Sequence, residues 1–256
     1  MQDSWSQISL CVITLNEEKN LSDCLASVKG CGEMIVVDSG STDGTQAIAE
    51  SFGAKWTVKP WKGFAQQRRE AELLASKPFV FFLDADERVS EALHGEISDL
   101  LQRPQAEQRL YHMQRQSEFL GRKIRHGDWK RDWVARLAPR GKTEWQGREP
   151  HPYLTGKGLK VYYCQNTLKH FPYPDVSVFF KKSDSYARTW AKEAYHSGKR
   201  GGQGMGWARA VWRWVRGYLL RGGFLDGRAG WVIAWHNARM VRLKYLFLEE
   251  LRHKEK

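Results

Sequence analysis

Four short apolar runs, Ile8–Thr14, Met34–Asp38, Trp56–Val58 and Phe79–Leu83, are each separated from the next by a segment with room for one helix. A near-continuous apolar run is what a strand covered on both faces requires. Leu21, Leu25 and Val28 then recur at helical spacing, with Asn16 ahead of them as a cap and Gly30 as a stop. Thr42 or Asp43 begins a second helix through Phe52, closed by Gly53, and Gly63–Ala75 reads as a third. The order β-α-β-α-β-α-β predicts an α/β fold, a mainly parallel sheet flanked by helices. Beyond it, Ser90–Leu101 reads as a helix, and Leu110–Met113, Trp133–Leu137 and Val161–Cys164 as strands. From Val176 the chain is mostly helical, with a Gly-rich break over Gly198–Gly206.

Charge divides the chain. The net charge is +12 over 256 residues, and residues 181–256 hold 17 Lys/Arg against 6 Asp/Glu. The first 180 residues are therefore nearly neutral, and the basic character belongs to a C-terminal helical extension. Within it, Arg209, Arg213 and Arg216 share one side of Trp207–Leu220, with Val211, Trp214, Val215 and Tyr218 on an adjacent side. A second such helix begins near Arg228 and carries Trp231, Trp235, Arg239, Arg242 and Lys244. Basic helices rich in Trp suit an anionic membrane surface. A nucleic-acid partner is disfavoured, because no recognised module accompanies the charge. Cys11, Cys24, Cys31 and Cys164 form no C-x-x-C pair and read as free thiols in a reducing compartment. No basic-then-apolar leader opens the sequence, and no run reaches the roughly 18 apolar residues of a membrane span. The expected location is cytoplasmic, peripheral on the inner face of the membrane.

In an open α/β sheet, ligands bind beyond the carboxyl ends of the strands. Three polar clusters stand at such ends: Thr14-Leu15-Asn16-Glu17, Asp38 to Thr45, and Asp84-Ala85-Asp86-Glu87. Asp38 at a strand tip, with Ser39, reads as a nucleoside contact, whereas Ser41, Thr42 and Asp43 read as a capped turn. Asp84 and Asp86, two apart in an extended segment, point to one side and repel unless a cation lies between them. Oxygen ligands of this kind suit Mg²⁺ or Mn²⁺, which share their coordination with diphosphate oxygens. Lys62, Gln66, Arg68 and Arg69, at or near the start of the preceding helix, could pair with phosphate or with the metal-site acids.

These residues resemble glycosyltransferase family 2, of GT-A fold, and more narrowly its lipopolysaccharide inner-core glucosyltransferase branch. The matching pieces are Ser9–Asn20, Ile35–Thr45, Trp61–Arg69, Phe82–Glu87 and Gly121–Leu137, then Leu168–Tyr173, Lys182–Tyr186 and Gly222–Gly230. The resemblance implies an inverting, metal-dependent transfer of sugar from a nucleotide-diphosphate donor, UDP-sugar favoured, to a hydroxyl of a glycan or lipid-linked acceptor. It implies that Thr14, Asn16, Glu17, Asp38 and Ser39 hold the nucleoside, with Gln66, Arg69 and Asp84 near ribose or diphosphate. Asp86, with Asp84, would hold the metal, and Arg136 would lie at the active-site floor. The branch often has Val-His-Glu where this chain has Glu149-Pro150-His151-Pro152, so the base passes to Glu149, Asp128 or Asp132.

The implied organisation is a catalytic domain over 1–175, with a donor half 1–104 and an acceptor half 105–175, followed by the helical extension 176–256. A nucleotidyltransferase is the near alternative, but Thr-Leu-Asn-Glu stands where its Gly-rich loop would be. A non-catalytic carbohydrate- or nucleic-acid-binding protein on the same scaffold is the other.

Overall fold

A computed structural model of the protein describes residues 4–130, 132–147, 149, 152–173 and 176–253, and all but the side chains of 181–183. The elements in chain order are β1 (Ile8–Thr14), α1 (Leu21–Ala26), β2 (Glu33–Asp38), α2 (Thr45–Ser51), β3 (Lys55–Val58) and α3 (Phe64–Leu73). There follow β4 (Phe79–Asp84), β5 (Glu87–Val89), α4 (Glu91–Leu101), β6 (Arg109–Phe119), β7 (Arg122–Lys123) and β8 (Asp132–Pro139). The last are β9 (Thr143–Gln146), β10 (Tyr153–Gly156), β11 (Lys160–His170), α5 (Val176–His196), α6 (Gln203–Trp214) and α7 (Gly227–His253).

The chain divides into two compact units. One comprises residues 1–115 and 132–170, the other 116–131 and 171–256. The expected boundary at 175 lies beside the observed one. The segment 116–131, assigned from the sequence to the acceptor half, instead packs with the C-terminal helices.

In the first unit the sheet order is β3-β2-β1-β4-β8-β6-β11-β5. β3, β2, β1 and β4 run parallel, and β8 joins β4 antiparallel. Alternate residues of the central strands enter two cores. Leu10, Val12, Val36, Phe81 and Leu83 face one side, while Cys11, Ile35, Val37, Val80 and Phe82 face the other. Cover on both faces is the reason these strands read as unbroken apolar runs rather than as alternating ones.

Helix starts differ from the sequence reading. Asn16 is not a helix cap: it takes a left-handed conformation (φ 56°), and its Oδ1 accepts from Thr42 N at 2.8 Å. The Glu17 carbonyl instead accepts from Asn20 N and Leu21 N and opens α1. α2 begins at Thr45, whose N–H donates to Asp43 Oδ1 at 3.1 Å. By contrast, Ser90 caps α4 as its sequence suggests, accepting from Leu93 N at 3.2 Å.

Glu33 ties the parallel edge together. Its carboxylate accepts from Ser9 on β1, Lys55 on β3, and the N–H and hydroxyl of Ser76. Burial opposes its ionisation, but these bonds outweigh it and bring the carboxyl down to about 2. A depressed carboxyl lends stability that is complete above its unfolded value near 4.5 and is lost as the pH falls through about 2. Glu33→Gln is therefore expected to flatten the acid limb of stability within that window. Urea midpoints of both proteins at pH 7, 4.5, 3 and 2 measure it; parallel pH profiles would contradict this assignment.

The second unit has its own cores. Phe119, Ile124, Phe179, Ala229 and Ile233 form one, and Ala187, Ala191, Ala194, Tyr245, Phe247 and Leu248 the other. The alanines of α5 let α7 approach closely. Gly206 of α6 is required for the same reason, since a Cβ there would meet Tyr245 Cβ at 2.8 Å. The single helix expected over Trp207–Leu220 ends as α6 at Trp214, and Val215–Leu220 continues as a π-helical turn.

Candidate active site

Register places the polar strand ends side by side. Thr14 is opposite Asp38 across β1 and β2, and Ile13 is opposite Asp84 across β1 and β4. The three clusters therefore share one rim of the first unit.

Asp38 is almost wholly enclosed, at 1% exposure. Its carboxylate accepts from Gly40 N at 2.7 Å, Ser41 N at 2.6 Å, the Ser41 hydroxyl, and Thr14 Oγ1 at 3.0 Å. A carboxylate has about four lone-pair sites, so these donors occupy it. Asp38 thus organises the turn behind the rim, and Ser39 at its mouth accepts from Gln67 Nε2 at 2.9 Å. Glu17 accepts from Asn20 Nδ2 at 2.8 Å, and its backbone N–H donates to Thr45 Oγ1 at 2.8 Å.

The acids after β4 divide into two kinds. Asp84 lies between two guanidiniums, Arg68 Nη2 at 2.5 Å from Oδ1 and Arg136 Nη2 at 2.6 Å from Oδ2. Burial alone would raise its carboxyl, but Arg136 and Arg68 together hold it far below the usual carboxylate range. Glu87, with a fully buried side chain, receives Arg136 Nη2 at 2.6 Å and Arg115 Nη1 at 3.3 Å. Arg115 also grips Asp132 Oδ2 at 2.6 Å. Three arginines therefore answer three carboxylates, and Asp86 is the fourth acid. Burial first, and then the carboxylates of Asp84, Glu87 and Glu17, push the Asp86 carboxyl up to about 8. Its side chain is nonetheless 26% exposed, so it opens onto solvent while standing among like charges.

Opposite it stands His170. The antiparallel pairing of β11 with β5 sets His170 across from Glu87 and brings its Nε2 to 3.7 Å from Asp86 Oδ2. Burial, with Arg115 adding to it, lowers the imidazole to about 3, which keeps it neutral and able to act as a ligand. Among the described residues no group of three or more His, Cys, Asp or Glu side chains is arranged to hold a metal ion. Two ligands, one an uncompensated carboxylate, still fit a hard cation that completes its shell from a diphosphate.

α3 supplies the cationic wall through Arg68, one of the residues named from the sequence, which pairs with Asp84. Gln66 pairs along the helix with Glu70 Oε1 at 2.9 Å, and Arg69 is exposed. The inward face carries Gln67, Arg68 and Ala71, the i, i+1, i+4 positions. Arg68 also lies over the Trp145 ring, 4.7 Å from its centroid, on the β9–β10 hairpin that the sequence reading missed. The helical spacing of Phe64, Arg68, Ala71 and Ala75 is the signal that could have found this face. For His170 the signal was the Leu168–Tyr173 piece of the resemblance, whose place beside Asp86 the late β11–β5 pairing sets.

The three candidate bases lie in different settings. Glu149 is exposed and accepts from Ala65 N at 3.2 Å, over Gly63, where a Cβ would fall 2.7 Å from its Oε1. Asp132 is held by the Arg115 fork. Asp128 belongs to the second unit, where Arg213, Arg216 and Arg221 surround it. The nearby Pro150 and His151, part of the resemblance, lie outside the described residues.

A family model described as glycosyl transferase family 2 matches residues 9–168. A lipopolysaccharide core biosynthesis glycosyltransferase of Rhizobium meliloti is 42% identical over 99 residues, a stretch covering 37% of each chain. An uncharacterised glycosyltransferase of Rickettsia conorii is 28% identical over 261 residues, covering 97% of this chain and 92% of that one. Among solved structures, a glucosyl-3-phosphoglycerate synthase of Mycobacterium tuberculosis matches with a TM-score of 0.35 and 24% identity, covering 43% of this chain and 44% of that one.

Proposed function

This chain belongs to glycosyl transferase family 2, and on that premise we propose that it moves a sugar from a nucleotide-diphosphate donor to a hydroxyl of a cell-envelope glycan, with inversion in one displacement. The observation that carries the reading is Asp86, whose carboxylate, among the described residues, pairs with none of Arg68, Arg115 and Arg136 and stands 3.7 Å from the neutral His170. The Rhizobium relative's role in lipopolysaccharide core biosynthesis supports that pathway for the acceptor.

In this reading the nucleoside, uridine favoured, lies along Thr14, Asn16, Glu17 and Ser39, on the turn that Asp38 fixes. Asp86 and His170 would hold Mg²⁺ or Mn²⁺, which would supply Lewis-acid neutralisation of the diphosphate's charge. Asp84 stays ionised between Arg68 and Arg136 and keeps that cationic wall in place. Arg69 and Gln66, on the outer face of α3, meet the donor only through its periphery.

Glu149 is the base in this account, because among the described residues no cation pairs with it, whereas Arg115 occupies Asp132 and three arginines occupy Asp128. Glu149→Gln is expected to retain donor binding and lose turnover by about 10²–10⁴-fold, the range for one general base. The assay is release of nucleoside diphosphate from a panel of nucleotide sugars with Mn²⁺ or Mg²⁺ and a core-glycan acceptor. Full activity of the Gln variant, with loss in Asp132→Asn, would move the role to Asp132. No turnover of any donor by the wild type would remove the reading.

We place the protein in the cytoplasm, peripheral on the membrane. No helix among the described residues is long and apolar enough to cross a membrane. The second unit does expose Trp212, Leu219, Leu220, Phe224, Trp231 and Trp235, large apolar side chains beside arginines. Flotation with anionic vesicles at physiological salt is expected; sedimentation free of vesicles would refute it.

A further inference from the structure

Outside the rim, the strongest concentration of charge lies in the second unit, around Asp128. The short turn Gly127–Trp129 presents this carboxylate to the end of α6 and the π-helical turn after it. Its side chain is 4% exposed. Gly217 makes the approach possible, since a Cβ there would fall 3.0 Å from Asp128 Oδ2. Arg221 Nη1 donates to Oδ1 at 2.8 Å, and Asn237 Nδ2 to Oδ2 at 3.3 Å. Arg213 Nε stands 3.0 Å from Oδ2 and Arg216 Nη2 3.7 Å from Oδ1. A π-helical turn widens the helix and often marks a functional site; here it brings positions 213, 216 and 221 onto one carboxylate.

One carboxylate does not satisfy three guanidiniums. The cluster carries two positive charges in excess, and its arginines offer about fifteen N–H donors to one acid with about four acceptor sites. The Nε–H groups of Arg213 and Arg216 are buried without an aligned acceptor. Among the described residues, Asp128 is the one carboxylate with which these three arginines pair. Burial, and after it the charges of Arg216 and Arg221, depress the Arg213 guanidinium despite Asp128. The side chains remain open to solvent, at 34%, 33% and 48% for Arg213, Arg216 and Arg221. A buried anion thus holds three forks in place with their outer edges unspent, which is the arrangement that recognises a tetrahedral oxyanion.

We propose that Arg213, Arg216 and Arg221, held by Asp128, form a binding site for a phosphate group. The inference stands on the second unit alone and does not depend on the transferase reading. The phosphate is either that of a soluble phosphorylated saccharide or that of a lipid headgroup, and the chemistry of capture is the same.

The test uses the full chain, with arginine side chains labelled for Nε–H resonances. Inorganic phosphate is titrated into the wild type, Arg216→Gln, Arg221→Gln and a control, Lys192→Gln, on an exposed position of α5. The same proteins are mixed with phosphatidylcholine vesicles with and without phosphatidic acid. The expected result is movement of the three arginine resonances, with affinity about tenfold weaker in Arg216→Gln or Arg221→Gln and unchanged in the control. Response to inorganic phosphate assigns a soluble source, and response to phosphatidic acid vesicles alone assigns a headgroup. Resonances unmoved by both probes overturn the site, as do equal losses in the control and in the arginine variants. Arg221 is the most exposed of the three, so its variant keeps the test decisive if Arg216→Gln does not fold.

Discussion

Asp86→Ala is expected to abolish the proposed metal-dependent transfer, lowering the rate by about 10³-fold or more, while leaving the protein at least as stable as the wild type. The size follows from the several kcal/mol that Lewis-acid stabilisation contributes, at about 1.4 kcal/mol for each tenfold in rate. The stability half follows from the charges. Asp84, Glu87 and Asp132 each pair with an arginine, whereas the carboxylates of Asp84, Glu87 and Glu17 outweigh Arg115 around Asp86. A carboxyl pushed up to about 8 must take up a proton or endure repulsion in the folded chain, so removing it lifts that cost and leaves no arginine without its carboxylate. A group that costs stability where it stands, in an open position, is what a functional site retains. Initial rates with Mn²⁺ and a nucleotide sugar, beside thermal melts, check both halves. Normal turnover by the variant would end the metal assignment; a collapse of the melt would mean that Asp86 is structural.

Arg136→Met is expected to have the opposite signature, a large loss of stability. Arg136 is 4% exposed and its Nη2 serves Asp84 and Glu87 together. Without it the fully buried Glu87 keeps only Arg115, at 3.3 Å, and Asp84 keeps only Arg68. Breaking a buried ion pair from one side costs about 3–5 kcal/mol, which lowers the melting temperature of a chain of this size by roughly 10 °C. Arg136→Lys should recover only part, since a point charge on a flexible stem does not reproduce a planar fork between two acids. Circular dichroism melts decide it, and a loss under about 3 °C for the Met variant would show that Arg68 and Arg115 suffice.

Much of the donor side was legible in the sequence. The runs at Ile8, Met34 and Phe79 name their strands because both faces of those strands are covered, and strand polarity then forces Thr14, Asp38 and Asp84 onto one rim. Asp84 and Asp86 were legible as a pair, but their difference was not. Which one is neutralised depends on Arg68 from α3 and Arg136 from β8, residues 16 and 52 positions from Asp84. On α3 the sequence offered Lys62, Gln66, Arg68 and Arg69 alike, and only the packing of the helix selected Arg68 as the guanidinium turned inward to Asp84. The assignment of 116–131 was misjudged because its polar composition resembles any acceptor loop, while its partners Asp226 and Asn237 lie about 100 residues later.

The sequence by itself determined the alternation of elements, the parallel half of the sheet and the carboxylates at its edge, since apolar periodicity and strand direction are local properties. Only the tertiary structure decided which carboxylate stays unpaired, that His170 faces it, and that Asp128 gathers three arginines. Those outcomes are set by charges that meet across long stretches of chain, and the protonation of an acid depends on the sum of its neighbours rather than on its motif.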